Sequence, residues 1–306
     1  MYTVMITGGT GLVGNVLSRM LEAKGYQVII LTRSAKNKEK KGNIRYAEWD
    51  PGRQSIDVAA LQSADFIIHL AGAGVVDKKW TSAYRKEILE SRTLSSKLIL
   101  DNLRNHSHQV KAIISSSAIG WYGADTVPGK MFVETDPPSD DFLGTTCRLW
   151  EESIENAPGK IRVCKLRTGI VLSNDGGALP EFKKPLQFGI AGIIGDGRQM
   201  VSWIHIEDLC RMFIYAIENE ILQGSYNAVA PVPVNNRKLT LTLANAVRGR
   251  FYIPVNVPSF ILKIMMGSRS VEVLKSTTVS CEKIKQAGFT FLYPSIEAAI
   301  SQPTNK

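Results

Sequence analysis

Cysteine is scarce and scattered. The four thiols, Cys147, Cys164, Cys210 and Cys281, form no Cys-x-x-Cys pair and have no histidine at ligand spacing. That argues against a zinc site and a disulfide framework, and fits reduced thiols in a cytoplasmic compartment. No metal is expected. No apolar run is long enough to span a bilayer, so no membrane partner is expected. The chain enters a strand almost at once, which leaves no room for a signal or transit peptide. Repeats and low-complexity linkers are absent. The net charge is +9, yet no helix-turn-helix, stacking-aromatic or zinc pattern accompanies it, so nucleic acid is not an expected partner. The dense basic piece from Lys36 to Lys41 reads as a solvated loop or as a basic rim near a cofactor phosphate. A length of 306 residues with 44% hydrophobic content suits two domains, or one large one, with a sizeable core.

What is present starts at the first residues. A β-prone run from Thr3 to Thr7 leads into Gly8, Gly11 and Gly14, and a helical period takes over from Leu12 to Lys24. Strand, glycine turn and helix together give a Gly-rich motif its meaning. Gly8 allows the tight turn, Gly11 lets backbone approach a pyrophosphate, and Gly14 lets helix and strand pack closely. The helix N-terminus, from Thr10 through Leu12 and Val13, then offers N–H groups to the phosphates. The second strand, Gln27 to Thr32, ends without the acid that a NAD site uses on the ribose 2′-OH. Arg33 and Ser34 stand there instead, and a guanidinium pairs with a 2′-phosphate in bidentate fashion. NADP(H) is therefore the expected cofactor.

The alternation continues. A third strand is read from Ile44 to Glu48, followed by Asp50, which suits either the adenine amino group or the opening of a turn before Pro51. A fourth, Ala64 to Leu70, is a nearly continuous apolar run, as a sheet covered on both faces requires. Leu70 leads into Ala71-Gly72-Ala73-Gly74, small residues that let backbone pass close to a ligand; His69 reads as packed at the strand end. A helix from about Lys79 to Leu103 follows, then a strand from Val110 to Ser115 that delivers Ser115, Ser116 and Ser117. A further helix runs from about Phe142 to Asn156, and a sixth strand from Ile161 to Leu166. The predicted class is α/β, a doubly wound parallel sheet over residues 1–166, to which 201–228 return. Residues 167–200 and 229–306 form a smaller, interleaved α/β substrate domain.

Five stretches now combine: Thr7-Gly-Gly-Thr-Gly-Leu-Val-Gly14, His69-Leu-Ala-Gly72, Ser115-Ser-Ser-Ala-Ile-Gly120, Arg167-Thr-Gly-Ile-Val171 and Ser202-Trp-Ile-His-Ile-Glu-Asp208. The set resembles an extended short-chain dehydrogenase/reductase of the NAD-dependent epimerase type, with a Rossmann fold. Trp80 with Glu90-Ser-Arg-Thr93, Gly195-Asp-Gly-Arg-Gln199, and the tail from Val257 through Tyr293-Pro-Ser-Ile-Glu-Ala-Ala299 resemble the narrower short-chain dehydrogenase family 39 proteins and their C-terminal domain of unknown function. The resemblance implies cofactor contacts by Arg92, Ser115, Arg167, Gly169 and Ile170 in addition to those above. It also implies a small-molecule substrate such as a nucleotide sugar, and a homodimer through the two long helices.

The departures bear on chemistry. Members of the wider family use a Ser, a Tyr and a Lys four residues after the Tyr. Ser117 matches the first, but Leu143 and Cys147 stand where the Tyr and Lys belong, and Arg92 where an Asn is usual. An NADP(H)-dependent oxidoreductase or epimerase with non-standard acid–base groups is expected: Ser117 on the reacting oxygen, Arg92 on developing charge, and Cys147 or Tyr122 exchanging the proton. The alternative is a cofactor-binding regulator or scaffold with little or no turnover.

Overall fold

The structure, a computed structural model, describes residues 1–36 and 38–301. Strand and helix alternate through the first half: β1 (Thr3–Thr7), α1 (Leu12–Ala23), β2 (Gln27–Thr32), β3 (Ile44–Asp50), β4 (Ser55–Ile56), α2 (Val58–Gln62), β5 (Phe66–His69), α3 (Ser82–Asn105), β6 (Ala112–Ala118), α4 (Phe142–Glu155) and β7 (Arg162–Thr168). Shorter pieces follow: β8 (Ile170–Ser173), β9 (Gly176–Gly177), α5 (Ala178–Leu186), β10 (Ile190–Ile194), β11 (Met200–Val201), β12 (Trp203–His205), α6 (Ile206–Glu218), β13 (Gly224–Ala228), β14 (Val234–Asn235), α7 (Asn236–Arg248), β15 (Ile253–Val257), α8 (Ser259–Met266), α9 (Ser270–Leu274), α10 (Glu282–Gln286) and α11 (Ile296–Ile300).

The main sheet has the order β13-β7-β6-β5-β1-β2-β3-β4, parallel except for the β3–β4 pair. Its fold is the doubly wound Rossmann type. Alternate residues of β1 supply the two faces. Val4 and Ile6 pack with Leu17 and Leu21 of α1 and with α6, whereas Met5 packs with Ile99 of α3 and Ile154 of α4. A third buried cluster joins Leu179, Leu186, Trp203, Leu239, Leu243 and Ile296. The chain runs outward from β1 through β3, then returns to β5 on the other side. The ends of β1 and β5 therefore flank the crevice where open α/β sheets take ligands.

Of the boundaries that differ from expectation, three have a clear tertiary reason. β6 continues three residues past Ser115 because Ser117 and Ala118 pair with Arg167 and Thr168 of β7. The long helix starts at Ser82, not near Lys79, because the Thr81 side chain accepts from the Tyr84 N–H and caps it. Between β11 and β12 the extended chain is interrupted at Ser202. Its Oγ donates to the Thr277 carbonyl at 2.8 Å and accepts from Val279 N at 2.9 Å, tying the tail to the body. Among the described residues, no helix is long and apolar enough to cross a membrane.

Candidate cofactor and active site

The turn after β1 needs its glycines for space. Gly8 has φ +67°, and a Cβ there would lie 3.0 Å from the Leu70 carbonyl carbon. A Cβ on Gly14 would lie 2.5 Å from both Gly8 O and Gly9 Cα. These are backbone atoms, so α1 can sit this close to the turn only without that carbon. Gly9 is similarly confined, its Cβ position lying 2.7 Å from Ile30 Cγ2; the three-residue spacing passed over it. Gly11 caps α1 with extended backbone, no side-chain cap and no acidic residue in the first turn. Thr10 and Gly11 are exposed, and Leu12 and Val13 half-buried. The first N–H groups of α1 thus face an open, uncapped end with a positive dipole, the arrangement that suits a phosphate.

At the end of β2, Arg33 and Ser34 are exposed. Lys38 comes back to the same place, donating to Thr32 Oγ1 at 3.2 Å and lying 5.0 Å over the Tyr46 ring. From the basic run, therefore, Lys38 joins Arg33 at the strand end. Glu48, opposite Thr32 on β3, is an acid that reading β2 alone missed; it accepts from Ala35 N at 3.1 Å. Asp50 Oδ1 accepts from Gly52 N at 2.9 Å and Arg53 N at 3.3 Å, the turn-opening one of its two expected roles.

Across the crevice, Thr7 Oγ1 accepts from the N–H groups of Leu70 and Ala71 at 3.0 and 3.1 Å and meets His69 Nδ1 at 2.7 Å. Ser95 and Ser96 meet His69 Nε2 at 3.2 and 3.3 Å. His69 is a packed strand-end residue, as the sequence suggested. Burial first, then the charge of Arg92, lower its pKa to about 4. The folded state therefore holds neutral imidazole, whereas the unfolded chain binds a proton near pH 6.5. The associated stability is complete above about pH 6.5 and falls by about 3 kcal/mol as the pH drops from there to about 4. His69→Asn should flatten this part of a urea-midpoint profile; an unchanged slope would contradict the assignment.

Arg92 lies under Gly72, whose Cβ position is 3.0 Å from the guanidinium carbon. Its Nη1 donates to the Ile88 and Ala73 carbonyls at 2.8 and 3.1 Å, and its plane sits 4.9 Å over the Trp150 ring. Burial lowers the Arg92 pKa from its usual value. Arg92 thereby braces the loop after β5.

The other side of the site is a buried polar network. Ser117 Oγ donates to Glu151 Oε1 at 2.7 Å. Arg167 grips the same carboxylate with two bonds, Nε to Oε1 at 2.8 Å and Nη2 to Oε2 at 3.0 Å, and Ser225 Oγ adds a fourth at 2.9 Å. Arg167 Nη1 reaches Tyr122 OH at 3.0 Å and the Glu134 carbonyl at 3.1 Å, with Trp121 stacked 3.7 Å away. Tyr122 OH donates to Asn227 Oδ1 at 2.6 Å, and Asn227 Nδ2 to the Ser280 carbonyl at 3.0 Å. Ser115 turns inward on Ser116 O at 3.0 Å. Gly169, with a Cβ position 2.7 Å from Ser202 O, carries the chain to Ile170, whose N–H reaches Ser202 O at 2.9 Å.

Comparison with known proteins decides the family. Residues 4–147 match the NAD dependent epimerase/dehydratase family, and residues 257–302 a domain of unknown function, DUF1731. Epimerase family protein YfhF of Bacillus subtilis is 35% identical over 301 residues, 98% of this chain and 97% of that one. The chain belongs to the NAD-dependent epimerase/dehydratase family. The human epimerase family protein SDR39U1 (isoform 2), solved with NADPH, is a structural relative with TM-score 0.85 and 27% identity, covering 98% of each chain. A nucleoside-diphosphate sugar epimerase from Corynebacterium glutamicum has TM-score 0.76 and 32% identity, over 98% of this chain and 57% of that one.

Within this epimerase-family site, the expected acid–base groups are not poised for proton exchange. Cys147 is buried; burial pushes its thiol up to about 12, more than Arg92 offsets. The charge of Arg92 favours the thiolate, but desolvation outweighs it. Tyr122 is likewise pushed up to about 12 by burial against the opposing pull of Arg167, and its hydroxyl is already donated to Asn227. Ser117 is 2% exposed and its proton is committed to Glu151. Arg167 is not available to a cofactor either. Its fork is used inside the protein, and although burial opposes its charge, Glu151 outweighs that and raises its pKa. Glu151 itself went unnoticed in the sequence, where it reads as one more acid of a solvated helix face. All four thiols are buried and pushed up to between about 11 and about 12. Ellman's reagent should thus label fewer than one thiol per native chain and all of them in denaturant; rapid native labelling of Cys147→Ala-sensitive thiol would refute this.

Proposed function

We propose that this protein binds NADP(H) at the β1–α1 turn and acts chiefly through that bound cofactor, as a redox-linked regulator or scaffold with little or no turnover. The observation that carries the reading is a contrast. The turn of Gly8 and Gly14 and the open end of α1 would take a pyrophosphate, and Arg33 and Ser34, exposed at the end of β2, would meet a 2′-phosphate. The positions that would move a proton hold an apolar Leu143, a buried Cys147 and an engaged Tyr122. When bound, the cofactor supplies a hydride to give or take. The chain supplies a dry wall, the Thr7-anchored backbone of Leu70 and Ala71, and the Arg92 brace. Loss of a positioned acid–base group costs about 10² to 10⁴ in rate.

A second reading, an NADP(H)-dependent oxidoreductase or nucleotide-sugar epimerase, is favoured by Ser117, whose contact with the Glu151 carboxylate gives its proton somewhere to go. The C. glutamicum relative, by its description a nucleoside-diphosphate sugar epimerase, supports that substrate class. In either case we assign residues 1–166 and 201–228 to the cofactor unit and 167–200 and 229–306 to the substrate side. We assign the contact of a homodimer to the groove that Leu94, Lys97 and Leu100 of α3 form with Glu152 and Ser153 of α4. Stopped-flow absorbance of NADPH-loaded protein against a panel of carbonyls, and of NADP+-loaded protein against nucleotide sugars, separates the readings. The first expects no protein-dependent oxidation; turnover that disappears in Ser117→Ala would establish the second.

A further inference from the structure

The surface farthest from expectation lies on the C-terminal unit. Phe188 and Phe251 are 83% and 86% exposed, more than any other aromatic side chain among the exposed large hydrophobics. They stand on two neighbouring loops, α5–β10 and α7–β15, stitched together by Ile253 N to Gly189 O at 2.8 Å and by Arg248 Nε to Leu186 O at 2.7 Å. Below the tip, β10 and β15 pair with Ile190 opposite Ile253. Ile190, Ile253 and Val255 are 41%, 68% and 43% exposed, and β15 is the edge of its two-stranded sheet. Among the described residues, nothing covers these side chains. Exposed apolar groups collected this way mark a contact surface.

The charge around them narrows the partner. Segments 182–195 and 237–271, bordered by Glu181, Asp196 and Glu272, carry these residues and hold eight Lys or Arg with no Asp or Glu; of the eight, Lys238 is paired with Glu297 and Arg269 bonds the Val76 carbonyl. Arg248 and Arg250 bracket the second loop directly, and both are exposed. Among the described residues, the guanidinium of Arg248 binds backbone carbonyls and no carboxylate, which leaves its charge uncompensated there. Glu181, just outside the first segment, is paired with Lys184 at 2.6 Å. Two aromatic rings projecting from loop tips, with aliphatic strand residues behind and uncompensated arginines beside, match a surface that is apolar inside and anionic at its face.

We infer that this tip docks on anionic lipid bilayers, with Phe188 and Phe251 entering the headgroup boundary and Arg248 and Arg250 meeting lipid phosphates. Apolar area and basic charge together set the strength of such interfacial binding. A contact of this kind needs no spanning segment, so the lack of a long apolar run, the ground for expecting no membrane partner, does not bear on it.

The test is co-sedimentation of the full chain with vesicles of phosphatidylcholine alone and of phosphatidylcholine with about 30% phosphatidylglycerol, a composition chosen to carry strong negative surface charge. Binding is expected to the anionic vesicles, at least about tenfold weaker on the neutral ones, and weakened again in high salt as the surface potential is screened. Phe188→Ser with Phe251→Ser should abolish it. Arg250→Glu should lower it about fivefold or more. Because both loops lie away from the β1–α1 turn, NADPH binding and the thermal midpoint of these variants should match the parent, which separates loss of docking from loss of fold. Equal partition onto both vesicle types, or none onto either, overturns the inference. So does a concentration-dependent dimer that the same phenylalanine variants dissociate, since the surface would then belong to a second copy.

Discussion

Glu151→Ala is expected to lower the unfolding free energy by about 3–5 kcal/mol, the usual cost of removing one partner from a buried ion pair. The reason is what remains. Arg167 is 3% exposed, and its guanidinium would keep its charge without the carboxylate that takes two of its bonds. Ser117 and Ser225 would each lose an acceptor as well. The network joins α4 to β6, β7 and β13, and through Tyr122 and Asn227 to the tail at Ser280, so its loss should also loosen the C-terminal unit. Replacing both charges by apolar groups, Glu151→Leu with Arg167→Met, should cost markedly less than Glu151→Ala alone, because no charge is stranded. Urea unfolding followed by circular dichroism measures both. A Glu151→Ala midpoint equal to that of the parent would show that the pair is not buried as described.

Gly14→Val should reduce NADPH affinity at least about 100-fold and cost about 1–3 kcal/mol of stability through overpacking. A Cβ at Gly14 falls 2.5 Å from Gly8 O and Gly9 Cα, both backbone, so no side-chain rotation relieves it. Either α1 moves away from the turn or the turn opens. In both cases the N–H groups of α1 leave the place where a pyrophosphate would meet them. Isothermal titration gives the affinity and calorimetric melting the stability. Retained NADPH affinity in a folded Gly14→Val protein would mean that the cofactor lies elsewhere.

How far the sequence could be read follows from how local each signal was. β1, the start of α1 and β2 sit where apolar period and glycine spacing placed them, since propensity and turn chemistry act within a few residues. Gly9 was passed over because its constraint comes from Ile30, on another strand. The hydroxyls of Ser115 to Ser117 were placed at a strand end, but pairing with β7 extends that strand and draws Ser117 into the interior. Glu151 was invisible for a related reason. An acid in a helix beside Glu152 and Glu155 reads as solvated until Arg167 is brought across from β7. Cys147 and Tyr122 were named from sequence position; their desolvation is a tertiary quantity that position does not carry. Phe188 and Phe251 lie more than sixty residues apart, and their loops become neighbours through the β10–β15 pairing and the Arg248–Leu186 bond.

The central claim is that the amino-terminal turn holds a phosphorylated nicotinamide nucleotide selected at the end of β2. Isothermal titration of the parent and of Arg33→Ala with NADPH and NADH tests it most directly. One charge-assisted contact to the 2′-phosphate predicts NADPH binding about 10- to 100-fold tighter than NADH, with most of that preference gone in Arg33→Ala. NADH binding as tightly as NADPH to the parent, or neither nucleotide binding at all, would contradict it.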